Sequence, residues 1–342
     1  PLGGEVDLEA RQLRLCGPNS LISDPIRVLR GVRLISSYDL RYGFEITEEM
    51  RVAIKKLGAV SGERIRDELF KCLAVSNFDV AAGLMSEFGV YDQLRLVTFG
   101  VDPAEPYLQQ DDAETLAMLT EAADKPGGEK SQLEQTQNRE LVHFHAYQTL
   151  LEESLQGGRK RRHLLLLCSI MLHIHPAFDP GNSGKSKLLP GVFAEQISQA
   201  LLTGQKENAY FKAVSGGFLR LAELSMQEPG ILDYYRFFRD FGVHGLDSAL
   251  LAMVEIKNQA PLLQFSAEIC REVFRLWFTE QERIVNPPRL VDGNILQSKL
   301  GIPPGARIGY LLEAIREQQV LGMINTTEDA LVFARGNVER KD

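Results

Sequence analysis

Two side chains near the start of this 342-residue chain have types and spacing suited to recognition. Asp24 and Arg27 stand three apart in Ser23-Asp24-Pro25-Ile26-Arg27-Val28-Leu29-Arg30. A carboxylate only accepts hydrogen bonds and a guanidinium only donates them. Three residues apart on a helix, the two project on neighbouring faces. Read alone, the pair is first of all a helix cap at Asp24 with an ion-paired or solvated Arg27. Three other constellations carry possible chemistry. His145 and His173 lie in apolar stretches, with Glu255 further on, and could be metal ligands. Gly181-Asn182-Ser183-Gly184-Lys185-Ser186 invites a phosphate-loop reading, but Asp179 stands where that loop needs its first glycine and no strand pattern precedes it. A mobile loop is the better reading. Last, Gly301-Ile302-Pro303-Pro304-Gly305-Ala306-Arg307-Ile308-Gly309 is a glycine turn opening onto a helix near Ile308. Backbone N–H groups there can face a phosphate, with Arg307 adding charge beside them.

Helices must position these residues. In the first stretch, Pro25 suits a first helical turn, with Ser23 or Asp24 as its cap. Val28, Leu29, Val32 and Ile35 form an apolar stripe, and Arg27, Arg30 and Arg33 step down another face. Thr47 precedes a second expected helix. Ser61 starts a third, striped by Ile65, Leu69, Cys72 and Leu73.

This stretch resembles the neck of the class II nucleotidyltransferases, the family of CCA-adding tRNA enzymes and bacterial poly(A) polymerases. The carrying residues are Asp24 to Arg30, then Gly43-Phe44-Glu45-Ile46, then Ser61-Gly62-Glu63-Arg64-Ile65-Arg66-Asp67-Glu68-Leu69. Ser23 stands where the family usually has an acid. The resemblance implies that Asp24 and Arg27 form a protein template for ATP or CTP. Adenine and cytosine offer an amino donor beside a ring-nitrogen acceptor, whereas uracil and guanine would leave buried groups unpaired. Arg30, Arg33, Glu63, Arg64 and Glu68 would support the neck. Residues 286–335 resemble the tail module of CCA- and A-adding enzymes, which implies RNA contact at Gly301, Gly305, Arg307 and Gly309. The order of His145 and His173 resembles an HD metal-phosphohydrolase body. Ile174 replaces the paired aspartate, and Glu255 stands where a later aspartate is expected. A retired site is the expectation, with His145 and His173 as core residues and His143 and His175 at the surface or at helix ends.

The expected class is all-α, an elongated neck, body and tail with a degenerate HD-like body. The expected divisions are 1–22 as a remnant of a catalytic head, 23–75 as neck, 76–284 as body and 285–342 as tail. Helices are expected at Phe78–Phe88, Ala113–Ala123, Leu141–Leu155, Arg162–His173, Pro190–Leu202, Asn208–Leu224, Leu232–Asp240, Gly245–Ala260 and Phe265–Ile284. Residues 124–131 have the composition of a linker. The family's glycine-rich nucleotide loop and metal-binding carboxylate pair are not found, so the expectation is a C-terminal portion without catalytic residues of its own. In the full enzyme Mg2+ and ATP or CTP would serve two-metal transfer of AMP or CMP to an RNA 3′ end. This chain would bind neither tightly.

Composition bounds the partners. The net charge is −8, but residues 100–155 hold twelve acids against three bases, while residues 24–71 hold ten bases against eight acids. The acidic block sets the overall sign and leaves local basic contacts possible. No apolar run approaches the roughly 20 residues of a membrane span. Four scattered cysteines fit a reducing cytoplasm. The expected partner is tRNA or another RNA 3′ end, with no DNA and no membrane. The rival readings are a metal phosphohydrolase using His145 and His173, and a non-catalytic RNA-binding or assembly module.

Overall fold

The computed structural model describes residues 3–101, 146–155, 158–179, 187–257 and 262–339. The described residues are helical throughout, with two isolated β-bridges and no named strand. In chain order the first helices are α1 (Gly4–Glu9), α2 (Ser20–Ser23), α3 (Ile26–Tyr38), α4 (Phe44–Ile54), α5 (Gly62–Leu73), α6 (Phe78–Glu87) and α7 (Val90–Phe99). Residues 146–152 are helical. Then come α8 (Arg161–His173), α9 (Pro190–Leu201), α10 (Gln205–Ser225), α11 (Ile231–Phe241), α12 (His244–Lys257) and α13 (Ala267–Thr279). The last three are α14 (Gly293–Leu300), α15 (Ala306–Val320) and α16 (Thr327–Glu339).

The apolar stripes do the assembling. Val28, Leu29, Val32 and Ile35 of α3 are buried, as are Ile65, Leu69, Cys72 and Leu73 of α5, and the two helices pack together. One continuous core then runs from Leu21 through α13 to Val285. At its centre α10 lies against α9 and α12. Gly217 lets α10 and α12 close up, because a Cβ there would sit 2.4 Å from the Ser248 hydroxyl oxygen. Ser248 in turn donates to the Val214 carbonyl at 2.9 Å. A charge cluster is sealed in the same region. Asp247 accepts from Tyr147 at 2.6 Å and from Arg161 Nε at 2.9 Å. Burial works to raise the Asp247 pKa, but His244, Arg161 and Tyr147 outweigh it and hold it below the usual range.

A second, smaller core joins α14, α15 and α16 through Leu296, Ile308, Leu311, Ile315, Ala330 and Ala334. Ion pairs fasten it to α11: Arg236 to Glu317 at 2.8 Å and Arg239 to Glu313 at 2.6 Å.

The all-α expectation holds, and several local readings change. Thr47 does not precede α4; it is buried inside the helix and donates to Glu87 at 3.3 Å. Gly43, in extended backbone, occupies the cap position instead. Residues 90–99, not assigned from sequence, form α7 between Gly89 and Gly100, both left-handed. The expected Phe265–Ile284 helix ends at Thr279, and a π turn follows over Gln281–Val285. Within the expected Leu141–Leu155 helix, the described residues are helical over 146–152 only. The Ala113–Ala123 helix, the 124–131 linker, His143, His145 and the Gly181–Ser186 loop lie outside the described residues.

Candidate nucleotide-recognition and RNA-binding sites

The neck places Asp24 and Arg27 side by side, and adds a third residue to them. Asp24 closes α2, and α3 begins two residues later at Ile26. Its carboxylate therefore does not cap α3, whose start has no side-chain cap. It is occupied across the neck instead. The outer amino nitrogen of Arg64, on α5, donates to Asp24 Oδ1 at 2.9 Å and to Oδ2 at 3.0 Å. Arg27 Nε lies 3.6 Å from Asp24 Oδ2, an ion pair longer than a hydrogen bond. Its Nη1 donates to the Ser20 carbonyl at 3.0 Å. The Asp24 side chain keeps 23% exposure and that of Arg27 45%, so both stay reachable. A carboxylate has about four acceptor positions, and Arg64 does not use them all. The chemistry on offer is an anchored acceptor beside a donor fork.

The support beneath this pair is a single buried acid. Glu68, 3% exposed, takes Arg33 Nε at 2.8 Å and Lys71 at 3.2 Å, with Arg30 Nε at 3.6 Å. Burial alone would raise its pKa, but hydrogen bonds from Arg33 and Lys71 prevail and lower it. Arg30, Arg33 and Glu68 thus tie α3 to α5, and Arg64 ties α5 to Asp24. Glu63 stands exposed in the first turn of α5, where a carboxylate favours the helix N-terminus. Only Asp24 and Arg27 were paired from sequence. Arg64 lies forty residues on, and a helix-spacing signal cannot reach that far.

In the tail, Gly301 ends α14 in the left-handed region at φ 65°. Gly305 precedes α15 at φ 155°, and no side chain caps that helix. Arg307 and Gly309 are exposed on its first turns. The turn that the sequence predicts is thus formed, and all four residues lie on one short surface stretch.

The body histidines tell a different story. His173 is buried; its Nδ1 lies 2.8 Å from the Ser169 carbonyl and its Nε2 3.0 Å from Glu255 Oε1. Glu255 also accepts from the Leu262 amide at 2.8 Å. His173 and Glu255 do meet, as a buried structural pair. His175 corrects the surface expectation. It is 6% exposed, packed edge-on to Phe99 at 4.9 Å, and its Nδ1 accepts from the Ala177 amide. It does lie just past a helix end, but on the aromatic side of the core. Burial first, then the Arg95 charge, lower its pKa to about 4. Among the described residues no group of three or more His, Cys, Asp and Glu side chains could hold a metal ion. None of the described helices is long and apolar enough to cross a membrane.

Residues 43–96 match the family described as "Probable RNA and SrmB-binding site of polymerase A". Over its whole length the chain is similar to the CC-adding tRNA nucleotidyltransferase of Geobacter sulfurreducens, 25% identical over 338 residues, covering 96% of this chain and 67% of that protein. The A-adding tRNA nucleotidyltransferase of Deinococcus radiodurans is 24% identical over 352 residues, covering 98% of this chain and 73% of that protein. Nearly the whole chain is thus similar to tRNA nucleotidyltransferases that add C or A. A shorter match, 35% over 135 residues, covers 36% of this chain and 32% of the multifunctional CCA protein of Neisseria gonorrhoeae. Among solved structures, a CCA-adding enzyme with ATP superposes with a TM-score of 0.60 at 16% identity, covering 99% of this chain and 65% of that one. The Thermotoga maritima CCA-adding enzyme complexed with tRNA gives 0.57 at 16%, covering 99% and 67%. These likenesses show a shared helical fold along nearly the whole chain. The chain spans about two thirds of the length of these longer relatives. The matched segment runs from Gly43 to residue 96, so it begins at the cap of α4, ends within α7 and excludes both Asp24 and residues 285–342.

Proposed function

We propose that this chain selects the nucleotide and grips the RNA in an enzyme that adds CMP, AMP or both to RNA 3′ ends, above all those of tRNA. The observation that carries the reading is the Asp24–Arg27 pair, anchored by Arg64 at 2.9 Å, in a chain similar to tRNA nucleotidyltransferases. Asp24 accepts from the exocyclic amino group of adenine or cytosine. Arg27 donates to the adjacent ring nitrogen. Uracil and guanine present a carbonyl and a ring N–H at those places, so acceptor meets acceptor and donor meets donor. Mg2+ supplies the phosphoryl-transfer electrostatics when bound in such enzymes; no described residue of this chain is assigned to it. Residues 23–75, 76–284 and 285–342 serve as neck, body and tail, with the tail holding RNA through Gly301, Gly305, Arg307 and Gly309. The place of work is the cytoplasm, consistent with four free thiols, and the substrate is RNA and not DNA.

The test is single-nucleotide addition to tRNA by the full-length protein with each of the four nucleotides. Losing one hydrogen bond to a buried partner costs about 1–3 kcal/mol. Arg27→Ala is therefore expected to reduce the preference for the correct nucleotide over UTP and GTP roughly tenfold to a hundredfold. Asp24→Asn supplies a donor where an acceptor is needed and acts in the same direction. Equal slowing of all four nucleotides by both variants, with preference intact, refutes the template.

A further inference from the structure

The neck helix that carries Arg64 is seated on the body with no clearance. Gly62, the first residue of α5, faces the last turn of α9. A Cβ at Gly62 would lie 2.2 Å from the Ala200 carbonyl oxygen and 3.1 Å from its carbon, and both are backbone atoms that cannot swing aside. The carbonyl end of α9 thereby meets the amide end of α5, a favourable alignment of helix dipoles. Just beyond, Leu202 ends α9 in the left-handed region at φ 48° and ψ 50°, where a leucine is seldom found. Its carbonyl accepts from the Arg66 guanidinium, one turn along the seated helix. Arg159, outside the neck, adds a second fastening. It bridges Asp67 of α5 and Glu207 of α10 while its guanidinium lies 4.6 Å over the Phe70 ring. The place of α5 is thus dictated by the body and not by α3 alone.

Two residues after Gly62, Arg64 reaches back to Asp24. A terminal carboxylate has a broad torsional well and does not hold its own plane. Arg27 does not hold it either, since its Nε stands 3.6 Å away and its Nη1 is committed to Ser20. One Arg64 nitrogen bridging both oxygens, at 2.9 and 3.0 Å, does. It leaves the outward acceptor positions for a base. Resting on the template reading above, we infer that Arg64 is a positioning residue for base selection. It presents the Asp24 carboxylate from a helix whose seat on α9, through Gly62 and Arg66, sets where the template stands. The body then controls nucleotide choice without touching the nucleotide.

A double-mutant cycle in the full-length protein tests this, using the same four-nucleotide addition to tRNA. Arg64→Ala is expected to lower the preference over UTP and GTP by roughly tenfold, the scale of one charge-assisted hydrogen bond. Arg64→Lys, which keeps the charge without the planar fork, is expected to restore part of it. In an Asp24→Asn background, Arg64→Ala should subtract nothing further, because the residue acts through that carboxylate. Gly62→Ala is expected to lower preference in the same direction in a protein with unchanged helical circular dichroism. Should it not fold, Arg66→Ala loosens the same seat without crowding and is read the same way. Preference intact in Arg64→Ala, or an additive loss in the Asp24→Asn background, overturns the positioning role. Arg64→Ala effective but the seat variants silent overturns the control by α9. If Asp24→Asn itself leaves preference intact, the template reading fails first; if it alters preference and Arg64→Ala does not, only this inference fails.

Discussion

Glu68→Gln removes the charge on which α3 and α5 converge. The wild-type carboxylate is 3% exposed and is held by Arg33 at 2.8 Å, Lys71 at 3.2 Å and Arg30 at 3.6 Å. Breaking a buried pair from one side costs about 3–5 kcal/mol when the orphaned partner stays buried. Here the partners are side chains 29%, 58% and 48% exposed, so each can turn to water. Screening by that water lowers the expected cost. What remains is roughly one charge-assisted hydrogen bond, about 1.5–3 kcal/mol. Glutamine keeps the volume, so no cavity adds to this. The assay is urea unfolding followed by helical circular dichroism at pH 7, with equal slopes required of both proteins. The pH dependence supplies an internal control. The folded-state pKa of Glu68 is lowered, so its charge stabilises the fold above the unfolded carboxylate range, near 4.3. That contribution fades as pH falls through the folded value. The difference between wild type and Glu68→Gln should thus be constant from pH 8 to about pH 6 and shrink below about pH 4. A difference under about 0.5 kcal/mol at neutral pH, within the range of ordinary surface substitutions, refutes the reasoning. So does one that persists unchanged into acid.

Two further perturbations probe the body and the tail. His175, whose pKa burial and the Arg95 charge lower to about 4, takes up its proton less readily folded than unfolded. It therefore withdraws stability as pH falls from about 6.5 towards about 4, and His175→Asn, which can still accept from Ala177, should lessen the fall in melting temperature over that window, with His163, whose pKa is also lowered to about 4, keeping its own share. In the tail, Arg307→Ala should weaken tRNA binding across sequences and reduce the slope of log K against log salt by about one unit. Gly305→Val, at φ 155°, should hinder close approach of a phosphate to the first turn of α15; unchanged affinity in both folded variants removes the tail from the RNA interface.

What could be read in the sequence was what repeats at short range. The α3 stripe of Val28, Leu29, Val32 and Ile35 has helical period, and its burial follows from that alone. Ser61 before Gly62 marked the start of α5, and the turn from Gly301 to Gly305 marked that of α15. What could not be read was who meets whom at long range. Asp24 looked like a cap because caps are the commonest local use of an aspartate before a helix. A guanidinium forty residues away claims it instead. Thr47 failed similarly, since Glu87 of α6 offers its hydroxyl a tertiary partner. His175 stands just past the end of α8 and before Pro176, and only folding brings Phe99 and Phe193 around it. His173 and Glu255 were named together as remnants of a metal site. Their 3.0 Å contact joins α8 to α12 without any convergence of three ligands among the described residues.

The pairings also change what the basic residues of the neck are for. Residues 24–71 carry ten bases, a local excess that sequence reading leaves open to RNA. Arg27 and Arg64 face Asp24, Arg30, Arg33 and Lys71 face Glu68, and Arg66 faces Asp67. Six of the ten are thus committed to three carboxylates within the neck. Each such pairing removes a cation from the count that could displace counterions from a phosphate backbone. On the function proposed above, these six cations contribute little to RNA affinity or to its salt dependence. That arrangement suits the base selection proposed above. A broad positive field attracts any polyanion and reads nothing, whereas a carboxylate fixed by cations at known distances rejects the wrong base through its unpaired groups. The acids between residues 100 and 155 fit the same economy, since they oppose non-specific attraction and leave discrimination to fixed hydrogen bonds.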